Sequence, residues 1–480
     1  MKFFTKPWQH QVEAIEKGKY TKNLLLSHDV GTGKTFSAVH ILRWRCAVER
    51  RLLRTLIICP IVVLGNWKAS FDSWSKIDKK DVVVLKGSGM KKASQVVQVT
   101  QNYNFPKIII TNLESLQNQE LMLNLHCFRP EMIILDESHM CKNYKSKRAK
   151  KVLSLADNAK FKLLLTGTPI LNSIEDLFMQ FRILDRGETF GKNFFAFRAT
   201  YMYDANAAWS SRPGHFPCYQ PRPEMLDALQ KLIEKNMHRA VKSQCLDLPP
   251  YIVLNREVEL SKEQRKLYEE MKRDFITFVN DEHDKPRAVV AQLALTKALR
   301  MLQITTGFVK TEEGEEIVIK HNPRLALLED LLEQVTPEHK VIVWALFKRN
   351  HKEIALVCKK LGVNFVHLNG DMSTKEKEEA IKSFQTLPSV KVMIANQQAG
   401  GTGVNLQQAS YSIYYSRGFS FGQDVQSEAR CYRGGSEIHE KVTRINLIAK
   451  DTIDCLVHEA LGKKEDLSKR IIDKAIISKL

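Results

Sequence analysis

Short apolar runs alternate with amphipathic stretches from the start of the chain to Asp185. Strands that are buried on both faces of a parallel sheet form continuous apolar runs, whereas the helices that connect them show one apolar stripe. The pattern therefore predicts a parallel sheet wound with helices, with strands at residues 24–26, 55–59, 107–110, 132–135 and 162–165.

The same alternation returns after His321. A long helix is expected between the two sets of strands, because Ser261 and Gln264 have the spacing of a capping box. The chain is accordingly predicted to be an α/β protein of two lobes, residues 1–255 and 256–480. The strands predicted for the second lobe are residues 340–344, 364–368, 391–395, 411–415 and 441–448.

The length and composition agree with two globular lobes. A chain of 480 residues is long for one domain, and 44% hydrophobic with 26% charged residues are ordinary globular values. The longest apolar stretch, residues 56–64, is interrupted by Pro60 and is far shorter than the roughly 20 residues needed to cross a bilayer. No membrane partner is expected.

The 9 cysteines include no Cys-x-x-Cys pair, and the residues from Met1 to Pro7 lack the apolar segment of a secretory signal. Both features predict reduced thiols and a cytoplasmic location.

The charge balance points to a polyanionic partner. Lys and Arg number 73 against 54 Asp and Glu, which gives a formal net charge of +19. Such an excess favours nucleic acid, because phosphates release bound counterions when basic side chains neutralise them. A solvated basic surface without such a partner fits the composition equally well, so the motifs decide.

A candidate phosphate-binding loop follows the first predicted strand. Residues 29–35 read Asp-Val-Gly-Thr-Gly-Lys-Thr and lead into a predicted helix, whose N-terminus adds positive potential to the backbone N–H groups exposed by the glycines. Lys34 is predicted to hold the terminal phosphates of ATP and Thr35 a Mg²⁺ ion. His28 stands where the usual loop has its first glycine, so a tight structural turn is the alternative. The predicted ATP contacts of the loop are Gly31, Thr32, Gly33, Lys34 and Thr35.

Two carboxylates follow the predicted strand at residues 132–135. Asp136 and Glu137 lie at the carboxyl end of that strand, where open α/β sheets bind their ligands. Asp136 is predicted to hold Mg²⁺, directly or through water, and Glu137 to polarise the attacking water. An exposed turn is the alternative for so short a motif, and the preceding phosphate loop favours the site.

Hydroxyl side chains end the strand at residues 162–165. Thr166 and Thr168 are suited to sensing the nucleotide. Taken alone, however, the segment is interpreted as a turn that starts a helix at Ile170.

Together these motifs resemble a superfamily-two helicase motor, and more narrowly the SWI/SNF-type DNA translocases, of which the chain looks like a compact bacterial or phage-like member. The narrower resemblance rests on residues 242–250 and 259–268, which are similar to the stretch between the lobes of these translocases. It implies two RecA-like parallel-sheet lobes with helical protrusions, at about residues 186–250 in the first lobe and about 256–320 in the second.

The resemblance also implies further ATP contacts. Residues 6–9 look like the adenine-reading motif of the family, with Gln9 as the reader and Gln11 as the less favoured substitute.

The second lobe has similar motor motifs. Gly403 and Asn405 match a Gly-rich motif that is expected to contact ATP. Arg430 and Arg433 are three residues apart, which would place both on one helical face. The resemblance implies that they reach the phosphates from across the cleft as arginine fingers.

Other family motifs bind DNA. The positions that match them are Pro60, Asn66, Trp67, Thr111, Asn112, Lys142 and Asn143 in the first lobe and Gly370, Gly400 and Gly401 in the second. The resemblance therefore implies double-stranded DNA as the partner, held mainly through its phosphates with little sequence preference and with strong salt dependence.

Two departures from the family pattern lie in the second lobe. Residues 416–420 read Ser-Arg-Gly-Phe-Ser where many relatives carry an acidic residue and then Trp-Asn-Pro, and residues 434–436 lack the common glutamine. These departures bear on the coupling of hydrolysis to movement rather than on hydrolysis.

The predicted function is that of an ATP hydrolase that translocates on double-stranded DNA and remodels DNA structures or protein–DNA complexes. A strand-separating helicase on DNA or RNA is one alternative, and a nucleotide-gated nucleic-acid-binding protein is another. Because the sequence reaches Leu480 without a further module, a separate targeting protein is a possible partner. The expected location is the cytoplasm of a bacterial cell or of a phage-infected host.

Overall fold

The computed structural model describes residues 3–101, 107–207, 217–281, 287–311, 315–400 and 405–472. The chain divides into two compact units. The first consists mainly of the residues up to Asp247, and the second of Leu248–Lys463. Among the described helices, none is both long and apolar enough to span a membrane.

The first unit is built on a seven-stranded sheet. The strands of this unit are β1 (Asn23–His28), β2 (Thr55–Cys59), β3 (Val82–Val84), β4 (Ile108–Asn112), β5 (Met132–Asp136), β6 (Phe161–Thr166), β7 (Met202–Asp204), β8 (Tyr219–Pro221) and β9 (Met237–Ala240). The sheet has the order β3-β4-β2-β5-β6-β1-β9, with every neighbouring pair parallel. Strands β7 and β8 form a separate antiparallel pair.

Helices cover both faces of this sheet. They are α1 (Gln9–Tyr20), α2 (Lys34–Val48), α3 (Leu64–Trp74), α4 (Gly89–Gln101), α5 (Gln119–Phe128), α6 (Lys147–Ala156), α7 (Glu175–Asp185), α8 (Phe194–Tyr201), α9 (Leu226–Lys235) and α10 (Lys242–Cys245). Alternate residues of the strands enter two different cores. One core contains residues of α1, α2 and α3, and the other contains residues of α4 to α9. Burial on both faces explains the continuous apolar runs of these strands.

The second unit has a six-stranded sheet. The strands of this unit are β10 (Tyr251–Val258), β11 (Phe308–Lys310), β12 (Glu316–Val318), β13 (Val341–Trp344), β14 (Asn364–Leu368), β15 (Val390–Ala395), β16 (Tyr411–Tyr414) and β17 (Val442–Ala449). The sheet is parallel with the order β10-β17-β16-β13-β15-β14, and β11 and β12 form an antiparallel pair.

Among the described residues, eight helices lie wholly or mainly in the second unit, and α13, α14, α15 and α17 among them contribute side chains to its two apolar cores. They are α11 (Lys262–Asp281), α12 (Arg287–Thr305), α13 (Pro323–Val335), α14 (Lys348–Lys360), α15 (Thr374–Thr386), α16 (Gln397–Gly400), α17 (Phe421–Cys431) and α18 (Ile453–Ile472). The predicted capping box forms the start of α11, where Ser261 N–H donates to Gln264 Oε1 and Gln264 N–H to Ser261 Oγ, both at 3.2 Å.

The predicted fold class, α/β with two parallel-sheet lobes, is confirmed, and every strand predicted from an apolar run is present within two residues. The sequence did not reveal β3, β9 or β10 of the parallel sheets, nor the antiparallel pairs β7–β8 and β11–β12. Strand β10 pairs along its length with β17. Residues 251–255 therefore belong to the second unit, and the boundary lies between Asp247 and Leu248 rather than at 255/256.

Candidate functional site

The predicted phosphate loop connects β1 to α2. Gly31 and Gly33 have φ angles of 93° and 78°, in the left-handed region that favours glycine. Lys34, the first residue of α2, donates from Nζ to the carbonyl oxygens of His28 at 3.0 Å and Asp29 at 3.4 Å. The ammonium group and the N-terminus of the helix therefore share one positive region, which suits a phosphate.

His28, at the position of the usual first glycine, turns its side chain into the protein. Its Nε2 lies 2.8 Å from Nδ1 of His238 on β9. Burial, together with the positive charge of Lys34 and Arg239, holds the pKa of His28 well below its usual range. The imidazole is therefore neutral and is part of the packing between β1 and β9.

Helix α1 packs against the phosphate loop through two side chains. His10 Nε2 lies 2.8 Å from the carbonyl oxygen of Thr32, and Gln11 Nε2 donates to the same oxygen at 3.3 Å. A Cβ atom on Gly33 would lie 2.3 Å from Gln11 Nε2. The structure thus places Gln11 against the loop, whereas the exposed Gln9 hydrogen-bonds Glu13 at 3.0 Å.

A cavity of about 590 Å³ lies beside Gln9 within the first unit. Helix α1 supplies one side of it, and β9 and α10 supply the other. Its polar lining includes Gln9, His10, Glu13, His238, Arg239 and Gln244. Gln9, the predicted adenine-reading residue, therefore borders a cavity that offers hydrogen-bond donors and acceptors. The cavity lies beside α1, the helix that packs against the phosphate loop.

The predicted acidic pair lies at the carboxyl end of β5. Asp136 Oδ2 accepts a hydrogen bond from Nε1 of Trp67 at 2.9 Å, and Oδ1 accepts one from the N–H of Glu137 at 3.0 Å. Burial and the nearby charge of Glu137 raise the pKa of Asp136 to about 6, against the opposing effects of the Trp67 hydrogen bond and the Lys34 ammonium group. Lys34 and Asp136 are therefore close enough to interact, although they follow different strands.

Glu137 connects the acidic pair to β6. Its Oε2 lies 3.3 Å from His139 Nδ1, which is 3.0 Å from the hydroxyl of Thr166. Thr166 Oγ1 also accepts a hydrogen bond from the N–H of Thr168 at 3.2 Å. The interpretation of this segment as the start of a helix at Ile170 is wrong, since the next helix, α7, begins at Glu175.

The side chains at this edge fit a Mg²⁺ ion. Asp136 offers a carboxylate whose pKa is raised by burial. A divalent cation would stabilise the ionised form of this carboxylate. Thr35 lies in the first turn of α2, directly after Lys34, with a partly exposed side chain. Carboxylate and hydroxyl oxygens are the ligand types that Mg²⁺ takes beside a phosphate.

The predicted DNA contacts of the first unit differ in exposure. Asn66 and Asn143 are exposed, and Asn143 Oδ1 accepts the N–H of Lys145 at 2.9 Å. Lys142 is partly buried, with Nζ 3.1 Å from Asp176. Four others are buried, and their side chains are not open to a DNA strand as the structure places them. These are Pro60, Trp67, Thr111 and Asn112.

Asn112 is occupied by its own neighbours. Its Oδ1 accepts hydrogen bonds from the buried Lys92 and from Ser115, and its Nδ2 donates to Glu114 at 2.8 Å. Lys92 also donates to Ser115 at 2.5 Å. This network fixes the chain where β4 ends, so the motif shapes the surface rather than offering Asn112 to a ligand.

The second unit presents the predicted arginines differently from the sequence expectation. Helix α17 ends at Cys431, so Arg433 lies beyond the helix and does not share a helical face with Arg430. Arg430 is buried and donates from Nε to Gln426 O at 3.0 Å. Burial lowers the pKa of Arg433. The helix stops because Tyr432 adopts an extended conformation, ahead of Gly435 at a φ of 101°.

The remaining predicted positions of the second unit are partly described. Gly370 is exposed after β14, and Gly400 ends α16. Asn405 is exposed, with its carbonyl oxygen 2.7 Å from Gln385 Nε2. Gly401 and Gly403 lie outside the described residues. The N–H of Leu406 donates to Arg430 O at 3.0 Å, which joins the segment after Asn405 to α17.

Residues 9–306 match the family model described as SNF2-related domain, and residues 323–435 match the helicase conserved C-terminal domain. The chain belongs to the SNF2-related family.

The relatives of this SNF2-related chain are distant and longer. It is 24% identical over 467 residues to the chromodomain-helicase-DNA-binding protein 1-like of Danio rerio, covering 96% of this chain and 43% of that protein. It is 26% identical over 477 residues to an uncharacterized ATP-dependent helicase of Mycoplasma genitalium, covering 96% and 41%. It is 26% identical over 462 residues to Zorya protein ZorD of Escherichia coli, covering 89% of this chain and 40% of that protein.

The chain therefore spans less than half the length of these three curated relatives. Among solved structures, it is similar to the Sulfolobus solfataricus SWI2/SNF2 ATPase core in complex with dsDNA, at 22% identity and a TM-score of 0.43, covering 100% of this chain and 96% of that one.

The structure adds contacts to the SNF2-related motifs that sequence reasoning missed. Trp67 is a partner of Asp136 rather than an accessible DNA contact, and His139 and Thr166 connect to Glu137. One signal was available for Thr166, because its hydroxyl group follows directly after a strand predicted from the sequence. No comparable sequence signal distinguishes the exposed Asn66 from the buried Trp67.

Proposed function

We propose that this SNF2-related chain hydrolyses ATP and uses the energy to translocate along double-stranded DNA, remodelling DNA structures or protein–DNA complexes. The proposal is carried by the edge of the first sheet, where Lys34 and the pair Asp136–Glu137 come together from β1 and β5. A phosphate-binding loop beside two carboxylates is the arrangement that phosphoryl transfer to water requires.

The residues at this edge have separate roles in the proposal. Lys34 and the backbone of the loop bind the terminal phosphates, and the nucleoside occupies the cavity beside Gln9. Thr35 and Asp136 would hold Mg²⁺, which supplies positive charge against the phosphate oxygens when bound. Glu137 orients and polarises the attacking water.

We propose that Arg430 and Arg433 of the second unit stabilise the charge that develops on the transferred phosphoryl group. A guanidinium suits this role because it stays protonated and presents several N–H donors in a plane. Their different placement, one within α17 and one beyond its end, predicts that the two side chains contribute unequally.

Double-stranded DNA is the proposed partner. The net charge of +19 supports a polyanion, and the exposed Asn66, Asn143 and Gly370 lie in motifs that resemble the DNA-binding motifs of the family. The relative in Danio rerio is named a helicase-DNA-binding protein. Because phosphates would supply most contacts, binding should weaken steeply as salt is raised.

The test is steady-state ATP hydrolysis without nucleic acid and with single-stranded DNA, duplex DNA or RNA. Glu137→Gln serves as the blank, and Glu120→Gln, the same change at an exposed position of α5, serves as the control. Strong stimulation by duplex DNA that Glu137→Gln abolishes and Glu120→Gln retains is expected. Preference for single strands or RNA would favour a strand-separating helicase. Nucleic-acid binding that depends on ATP without any hydrolysis would favour a nucleotide-gated binding protein.

A further inference from the structure

Trp67 contacts the hydrolytic site instead of the surface. Its side chain is 1% exposed, and its indole N–H donates to Asp136 Oδ2 at 2.9 Å. The second oxygen of Asp136 is held by the N–H of Glu137 at 3.0 Å. The carboxylate is therefore fixed by one donor from the residue that follows its own strand and one donor from α3, a different part of the chain.

Helix α3 has two sides with different surroundings. One side is buried and carries Trp67, Ser70 and Phe71. The other side is exposed and carries Gly65, Asn66, Lys68 and Ala69. The first turn of the helix thus places an accessible amide, Asn66, directly beside the residue whose ring reaches Asp136.

The far end of α3 contacts the phosphate-loop helix. The ring of Trp74 packs edge-on against Phe36, with ring centroids 5.3 Å apart. Phe36 directly follows Thr35 in α2. A displacement of α3 would therefore change its contacts both with Asp136 and with α2, the helix that begins at Lys34.

We propose that Trp67 is a positioning residue that holds Asp136 for Mg²⁺ and relays to it the presence of DNA on the exposed side of α3. The relay rests on the proposed function, whereas the positioning of Asp136 does not. A partly buried carboxylate that loses one of two hydrogen-bond donors is less constrained in orientation. Partners that orient a metal-binding side chain typically change metal affinity 10–100-fold when they are removed.

The experiment compares Trp67→Phe with Trp74→Phe, the same substitution on the same helix at the residue that packs against Phe36. Both are made in the Glu137→Gln background, and binding of ATP is titrated against Mg²⁺ by calorimetry. We expect Trp67→Phe to raise the Mg²⁺ concentration for half-maximal ATP binding about tenfold, and Trp74→Phe to leave it within about twofold. A matched rise in both variants, or in neither, overturns the proposal.

The relay is measured with Glu137 present. Trp67→Phe should bind duplex DNA as the parent does, yet lose most of the stimulation of hydrolysis by DNA at saturating Mg²⁺. Full stimulation at saturating Mg²⁺ overturns the relay. If the parent itself shows no DNA stimulation, the proposed function fails, and the Mg²⁺ titration still decides whether Trp67 positions Asp136.

Folding is checked by the melting temperature of each variant. If Trp67→Phe unfolds, replacement of Trp67 by benzothienylalanine keeps the bicyclic ring and removes only the N–H donor. The same rise in required Mg²⁺ is expected there, and an unchanged Mg²⁺ requirement overturns the proposal.

Discussion

The guanidinium of Arg444 donates two hydrogen bonds to the carboxylate of Asp424, at 3.0 and 2.8 Å. Arg444, on β17, also donates to Glu428 at 3.0 Å and lies over the ring of Tyr414, 4.0 Å from its centroid. Asp424 and Glu428 both belong to α17, the helix that contains Arg430. A buried network of ion pairs therefore holds α17 against the parallel sheet of the second unit.

Asp424→Asn is expected to destabilise the second unit. The substitution leaves the Arg444 guanidinium buried with Glu428 as its remaining charge partner, and breaking a buried pair in this way costs about 3 kcal/mol in the free energy of unfolding. Urea denaturation measures the change. The control is Asp371→Asn, which breaks the exposed pair with Lys348 and should cost about 1 kcal/mol or less. Equal effects of the two substitutions would contradict a structural role for Asp424.

Arg417 extends the same network at a position where the sequence departs from the family pattern. Its Nη2 donates to His458 Nδ1 at 2.7 Å, and its Nη1 lies 3.7 Å from Asp424 Oδ1. Arg417, which lies where many relatives carry the acidic-Trp-Asn-Pro pattern, therefore helps to hold α17 in place.

Gly33→Ala is expected to weaken ATP binding at least tenfold. The added Cβ atom would lie 2.3 Å from Gln11 Nε2, and the φ angle of 78° is strained for any residue with a Cβ. The loop must therefore shift away from the geometry that accepts phosphates. Calorimetric titration of ATP in the Glu137→Gln background provides the measurement.

Gly65→Ala is the matched control for this substitution. A Cβ atom there meets nothing within 4 Å, so ATP affinity should stay within about twofold of the parent, as expected for a surface substitution. Equal affinities of the Gly33 and Gly65 variants would show that the loop tolerates a side chain at Gly33.

The fold was largely predictable from the sequence, because strands buried on both faces produce apolar runs that need no knowledge of their neighbours. Strand β10 escaped detection although it begins with an apolar run at residues 251–254, because it lies between the two alternating regions and its partner, β17, is almost two hundred residues away along the chain. Strand β9, with only its first and last residues buried, gives no apolar run.

The candidate site was less predictable than the fold. The phosphate loop and the acidic pair are local motifs, and the structure brings Lys34 and Asp136 together through the sheet order. Contacts between distant segments, such as that of Trp67 with Asp136, depend on the helix face that packs inward. The prediction that Arg430 and Arg433 share a helical face was wrong because α17 ends between them.

Glu131→Gln is expected to lower stability in a pH-dependent way. The hydrogen bonds from Arg51, one of them at 2.8 Å, lower the pKa of Glu131 to about 2. Because the folded pKa lies below the unfolded value of about 4.3, the ionised carboxylate stabilises the fold above pH 5, and this stabilisation is lost as the pH falls toward 2. With Glu131 17% exposed and Arg51 47% exposed, the cost at pH 7 should be about 1–2 kcal/mol after allowance for solvent screening.

The measurement for Glu131 is the difference in unfolding free energy between parent and variant, taken in urea at several pH values between 7 and 2.5. The difference should shrink steadily below pH 5. Glu49→Gln, which removes an ion pair with the exposed Lys160, controls for the general loss of a surface carboxylate. A difference that is the same at every pH would contradict the assignment of the effect to ionised Glu131.

Arg433→Ala is expected to reduce the turnover rate of ATP hydrolysis about 100-fold or more while changing ATP affinity only a few-fold. An arginine that stabilises charge on the transferred phosphoryl group acts in the transition state, so its loss appears in kcat rather than in binding. The buried Nε of Arg433 has no hydrogen-bond partner among the described residues, and the melting temperature of the variant separates a loss of turnover from a loss of packing. Arg349→Ala, which removes an ion pair with Glu353 on α14, should leave kcat at the parental value. A drop in ATP affinity as large as the drop in kcat would instead assign Arg433 to ground-state binding.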